Sequence, residues 1–147
     1  MSPFFNAYQK SEYNNSDKKG RMMLENFSNY EKSMVIELYE RVIGTEHSFK
    51  IDYIKNMIKL KKKKRLFSMT TEEIINYFAF KTFSERKTIY FYGVYLILSL
   101  NEQTTTQFVL LEQMRNGYLI SQNNKRELYK LAYDKIDFEK RVELTLK

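Results

Sequence analysis

No cysteine occurs among the 147 residues. A disulfide framework, a thiol nucleophile and a cysteine metal cage are thereby excluded, and a reducing, cytoplasmic setting is expected. One proline and four glycines are too few for a turn-rich β fold and point to helices. Histidine occurs once, as His47, in an expected loop between Gly44 and Ser48, where a solvated side chain is the ordinary outcome. No glycine-rich phosphate loop, HExxH motif or zinc-ligand spacing is present. Asp134, Asp137 and Glu139 lie close in sequence, but on a helix 137 and 139 point apart, which makes them surface charge rather than a magnesium site. The N-terminus lacks the apolar stretch of a secretory signal, and the apolar run at 89–100 is too short to span a bilayer. The chain is therefore expected to be non-enzymatic, with no metal and no cofactor.

What is present is a core. Apolar residues make up 43% and aromatics 16%, enough for one packed domain. We expect a flexible polar tail over 1–19, with Phe4, Phe5 and Tyr8 able to dock, and a single helical domain over 20–147. Ser28…Glu31, Thr70…Glu73 and Thr104…Gln107 are capping boxes, which mark helix starts. The first gives a helix over 29–43, with Tyr30, Met34, Leu38 and Val42 at helical spacing and Gly44 as its stop. The second gives a helix from Thr70 to about Lys81. Ser84 can cap a further helix running toward Leu100, apolar on nearly every side and so a buried central element. The third gives a helix ending at Gly117. Residues 118–131 read either as a small β-wing or, with the better residue propensities, as a bend before a last helix over about 124–144. The expected fold is all-α, a compact bundle of about five to seven helices.

A further helix is expected from Ser48 to Arg65, with Ile51, Ile54, Met57 and Ile58 on its apolar face. Residues 50–65 carry seven lysines and one arginine against one acid, Asp52. Their surplus equals the net charge of the whole chain, +7, so all other residues balance. Like charges at this density repel at i, i+4, and an anionic partner relieves that repulsion. Nucleic-acid phosphate is the leading partner, with Lys55, Lys59, Lys61, Lys62, Lys63, Lys64 and Arg65 as the contacts. An acidic protein surface or an anionic membrane surface is the next candidate.

Two short helices around Thr82-Phe83-Ser84, with Ala79 small at their junction, resemble the helix-turn-helix of transcriptional regulators over about residues 75–92. The match departs from that motif at Thr82, Phe83 and Ser84. The resemblance implies a recognition helix with Ile89 and Tyr92 inward and with Arg86, Lys87, Thr88 and Tyr90 toward base edges. The competing reading makes the same helix only a core axis. Two functions follow from these features. One is a small basic DNA-binding regulator, its residue bias suggesting a low-GC bacterium or its phage or plasmid. The alternative is a helical protein-binding regulator or inhibitor. A variant of the latter holds an apolar ligand among Phe78, Phe83, Phe91, Tyr95 and Met114.

Overall fold

Four capping boxes set the helix starts. At Ser28, Thr70, Thr82 and Thr104 the hydroxyl accepts from the backbone N–H three residues on, and Glu31, Glu73, Glu85 and Gln107 accept in return from the cap's own N–H. The computed structural model describes residues 23–66 and 68–146. After a helical turn at 23–25 come α1 (Asn29–Ile43), a 3-10 turn (Thr45–His47), α2 (Ser48–Met57), α3 (Thr71–Phe78), α4 (Phe83–Leu98), α5 (Thr105–Gly117) and α6 (Gln122–Leu146). The architecture is an all-α bundle, with no strand among the described residues. The expected tail at 1–19, with Phe4, Phe5 and Tyr8, lies outside them.

The central helix is α4. Every residue from Ile89 to Ile97 is buried, because α1, α5 and α6 all pack against it. Gly93 makes room for α5: a Cβ there would stand 3.3 Å from Leu111 Cδ2. Tyr39 of α1, fully buried, donates from its hydroxyl to the Ile89 carbonyl at 2.8 Å, so one polar bond pins α1 to the axis. Each fully buried aliphatic chain, such as Ile89 or Ile97, contributes about 1.5–3 kcal/mol relative to exposure. Phe78, Phe91, Tyr95 and Met114 belong to this core. Phe83 does not. It is 39% exposed, with the Arg86 and Lys87 cations over its ring, so it lines no apolar ligand cavity.

Several boundaries differ from the sequence expectations. The cap of α4 is Thr82, not Ser84. Thr82 has Glu85 three residues on, and only that spacing closes the reciprocal pair. The preceding helix ends at Phe78 rather than near Lys81. Residues 118–131 form no wing. Leu119 adopts φ +57 and ends α5, Ser121 caps the next helix by accepting from Asn124 N–H at 3.1 Å, and α6 follows.

The largest departure is in the basic segment. The helix expected over 48–65 stops at Met57. Lys59 takes φ +58. The N–H of Leu60 donates to the Lys55 carbonyl at 3.0 Å and that of Lys59 to the Asn56 carbonyl at 3.3 Å, the paired bonds of a Schellman stop. A helix packs residues at about 1.5 Å each and an extended chain at about 3.3 Å. Unwinding therefore spreads the cluster of like charges over about twice the length.

Candidate nucleic-acid interface

Beyond Lys59 the chain leaves the helix and runs, with a bend at Lys62, as an irregular strap along one edge of α1. The strap's N–H and C=O groups are met by α1 side chains rather than by a neighbouring strand. The Asn29 amide receives the Lys61 N–H at 3.3 Å and donates to the Lys62 carbonyl at 2.9 Å. Ser33 Oγ accepts from the Lys64 N–H at 3.0 Å while donating to the Asn29 carbonyl at 2.9 Å. Arg41 reaches the Leu66 carbonyl at 3.2 Å and Thr71 Oγ1 at 3.3 Å. Leu66 itself is buried and anchors the far end. The partners 29, 33 and 41 ascend with 61, 64 and 66, so strap and helix run in the same direction.

This docking explains why α1 is buried continuously from Ser33 to Tyr39. The core covers its apolar face and the strap covers its polar edge. Asn29, Ser33, Glu37 and Arg41 recur every four residues and form that edge. Sequence reasoning missed them as functional residues, although the spacing of this polar stripe on an otherwise apolar helix is the signal that could have found it. Glu37 accepts from Lys63 Nζ at 2.7 Å and from Arg41 Nε at 3.1 Å. Burial alone would push its carboxyl up, but those two cations outweigh burial and hold it below the ordinary value.

The strap sorts the predicted phosphate contacts into two groups. Lys55 pairs with Asp52 at 3.7 Å on α2, Lys59 with Glu25 at 2.6 Å, and Lys63 with Glu37 and with Glu40 at 3.5 Å. These three cations are occupied. Lys61, Lys62, Lys64 and Arg65 are exposed, and their side chains have no ion-pair partner among the described residues. Within the contact network around the strap, the cations are Lys32, Arg41, Lys59, Lys61, Lys62, Lys63, Lys64, Arg65 and Lys81, and the carboxylates are Glu25, Glu31, Glu37 and Glu40. Nine against four leaves a local surplus of five positive charges. In water a surplus of this kind attracts polyanions over about a Debye length, roughly 8–10 Å.

The four predicted base-edge residues fare differently. Tyr90 is fully buried within the core of the bundle and cannot reach any groove. Arg86 is half-buried. Its guanidinium donates to the carbonyls of Lys81 (3.1 Å) and Tyr118 (2.5 Å), tying the α3–α4 turn to the α5–α6 turn. Lys87 lies over the Phe83 ring at 4.8 Å, and Thr88 donates back to the Ser84 carbonyl at 2.7 Å. Arg86, Lys87 and Thr88 thus sit on the first turns of α4, where their polar groups already have partners within the chain.

His47 lies in the 3-10 turn beside Glu46. Asp134 and Asp137 are exposed, while Glu139 accepts from the Tyr95 hydroxyl at 2.8 Å. Among the described residues no group of three or more potential metal ligands converges, and no helix is long and apolar enough to cross a membrane. Comparison with family models, with curated proteins and with solved structures gives no match, so the functional reading rests on this chain's own residues.

Proposed function

We propose that this chain is a small basic DNA-binding regulatory protein of the cytoplasm, without enzymatic activity, and that it contacts phosphates through the strap. One observation carries the reading. Four cations, Lys61, Lys62, Lys64 and Arg65, project from a backbone that α1 holds in place, with no ion-pair partner among the described residues. Neutralising four phosphates of duplex DNA gives a log–log salt slope of about −3.6. The test is a fluorescence-anisotropy titration over a salt series, comparing the parent with the variant carrying Lys61→Gln, Lys62→Gln, Lys64→Gln and Arg65→Gln. Loss of affinity and a flattened slope in the variant are expected. Absence of binding by the parent, or equal binding by the two proteins, refutes the reading.

Base discrimination through Arg86 has little support, since its donors already serve two carbonyls. Arg86→Ala is expected to leave the ratio of specific to non-specific affinity unchanged.

A second reading, a protein-binding regulator or inhibitor, is favoured by the exposed apolar side chains Phe80 (93%) and Leu119 (78%). They belong to the two turns that Arg86 ties together. A partner bound there would be released by Phe80→Ser and would respond little to salt.

A further inference from the structure

Two partly exposed aromatic rings cluster at the first turn of α1, the turn whose Asn29 holds the strap, and these bear on what kind of polyanion it takes. Asn29, which holds the strap at Lys61 and Lys62, is followed in α1 by Tyr30 and Glu31. Tyr30 is 43% exposed, and its hydroxyl is tethered to Met69 Sδ at 3.7 Å. Tyr77 of α3 is 41% exposed, and its hydroxyl donates to Glu31 Oε2 at 3.1 Å. Both rings are thus held by their hydroxyl ends, with part of each ring surface open to solvent. The carboxylate between them is occupied: Glu31 pairs with Lys81 and also accepts from the Ser28 N–H, so it does not oppose an anion.

Duplex DNA offers phosphates and groove edges but keeps its base faces stacked, so two open rings add nothing to a duplex contact. An unpaired strand offers phosphates and base faces together. A basic track beside aromatic platforms is the arrangement that such a strand satisfies, because every base has a face that can stack. We infer that the Tyr30–Tyr77 surface and the strap together form a site for single-stranded nucleic acid, with bases stacking on the two rings and phosphates on Lys61, Lys62, Lys64 and Arg65. This rests on the phosphate-binding reading given above and narrows its ligand.

The test uses the full chain and labelled 20-nucleotide probes: oligo-dT, oligo-rU, a mixed-sequence single strand, and that strand annealed to its complement. At least about tenfold tighter binding of the single strand than of its duplex is expected, with a salt slope near −2.8 for four phosphates. Tyr30→Leu and Tyr77→Leu are each expected to weaken single-strand binding about tenfold while leaving the duplex unaffected. Circular dichroism checks that these variants are folded. Tyr30→Phe and Tyr77→Phe keep the rings and are expected to bind like the parent even though a tether is lost, which separates stacking from a structural role. The dT and rU arms show whether DNA or RNA supplies the strand. Equal affinity for both strand forms, or single-strand binding untouched by the Leu variants, overturns this inference while leaving the strap as a general phosphate site. Binding unchanged by the four strap substitutions, or absent altogether, overturns both.

Discussion

Leu119 gives the sharpest test of the fold, because its side chain and its backbone make opposite demands. Its φ of +57 places it in the left-handed region, where an L residue with a Cβ is disfavoured by roughly 1–2 kcal/mol. The Ile120 N–H to Arg115 carbonyl bond (3.0 Å) and the Leu119 N–H to Asn116 carbonyl bond (3.3 Å) require that conformation, since together they close the end of α5. The side chain offers little in return, being 78% exposed. If full burial of a leucine contributes about 1.5–3 kcal/mol, the hidden fifth contributes about 0.3–0.6 kcal/mol. Leu119→Ala loses that contribution and keeps the strain. Leu119→Gly loses the same contribution, but its backbone accepts positive φ at no steric cost. Glycine is therefore expected to exceed alanine by about 1 kcal/mol and the parent by about half of that. With an unfolding entropy of about 2.1 cal/mol/K per residue, the glycine variant should melt about 3 °C above the alanine variant. Thermal melts by circular dichroism, backed by urea titration, measure this directly. An alanine variant as stable as the glycine variant refutes a left-handed residue 119, and with it the turn that replaces the β-wing.

Three further outcomes are expected. Glu37→Ala removes the acceptor of both Lys63 and Arg41 and should destabilise by about 1.5–3 kcal/mol, read by urea denaturation; a loss below about 0.5 kcal/mol would show that the strap is not docked there. Glu31 and Glu37 both titrate below the ordinary 4.5. Burial opposes this in each, but Lys81 and neighbouring donors prevail at Glu31, and Lys63 and Arg41 prevail at Glu37. The unfolded chain therefore binds protons first, so their stabilisation is complete above about pH 4.5 and is lost as pH falls through the lowered native values. Melting temperatures should hold from neutral to about pH 5 and then drop, with a smaller drop in Glu37→Gln, and a flat profile down to pH 3 would contradict the pairing. The Tyr118 hydroxyl is buried without a hydrogen-bond partner among the described residues, so Tyr118→Phe should be neutral or stabilising, whereas Tyr39→Phe, which loses the bond to Ile89, should lose about 0.5–1.5 kcal/mol.

The helical architecture was legible because its signals are local. The boxes at Ser28, Thr70 and Thr104 declare helix starts within four residues, and the apolar surround of Ile89–Ile97 declares a buried axis. The fourth box, Thr82…Glu85, was equally local, but Ser84 stood nearby as a competing cap. What was not legible depended on tertiary contact. Nothing in the composition of Lys50–Arg65 says that Lys59 turns left-handed or that the following residues dock on α1. Those outcomes depend on Asn29, Ser33, Glu37 and Arg41, which lie some thirty residues away in sequence. The separation of Lys63 from Lys61, Lys62, Lys64 and Arg65 was invisible for the same reason: only the docked strap decides which cations are neutralised. Tyr90 was misplaced because an α4 helix apolar on all sides offers no outward face from which to choose.

The anchoring of the strap at successive points along α1 has a consequence for how this chain can vary. Surface connections ordinarily tolerate insertions, since each doubling of a loop's length costs only about 0.6 kcal/mol. Here the connection is held at fixed points by Asn29, Ser33 and Arg41. One extra residue between the Asn29 anchor at Lys62 and the Ser33 anchor at Lys64 would displace everything after it by about 3.3 Å, farther than a hydrogen bond stretches. The outward side chains face only solvent and can be exchanged freely without disturbing the fold. A segment that the sequence alone reads as the end of a helix is thus a connection fixed in length and open in sequence, and homologous chains should keep the count of residues from Lys59 to Leu66 even where the cations have drifted.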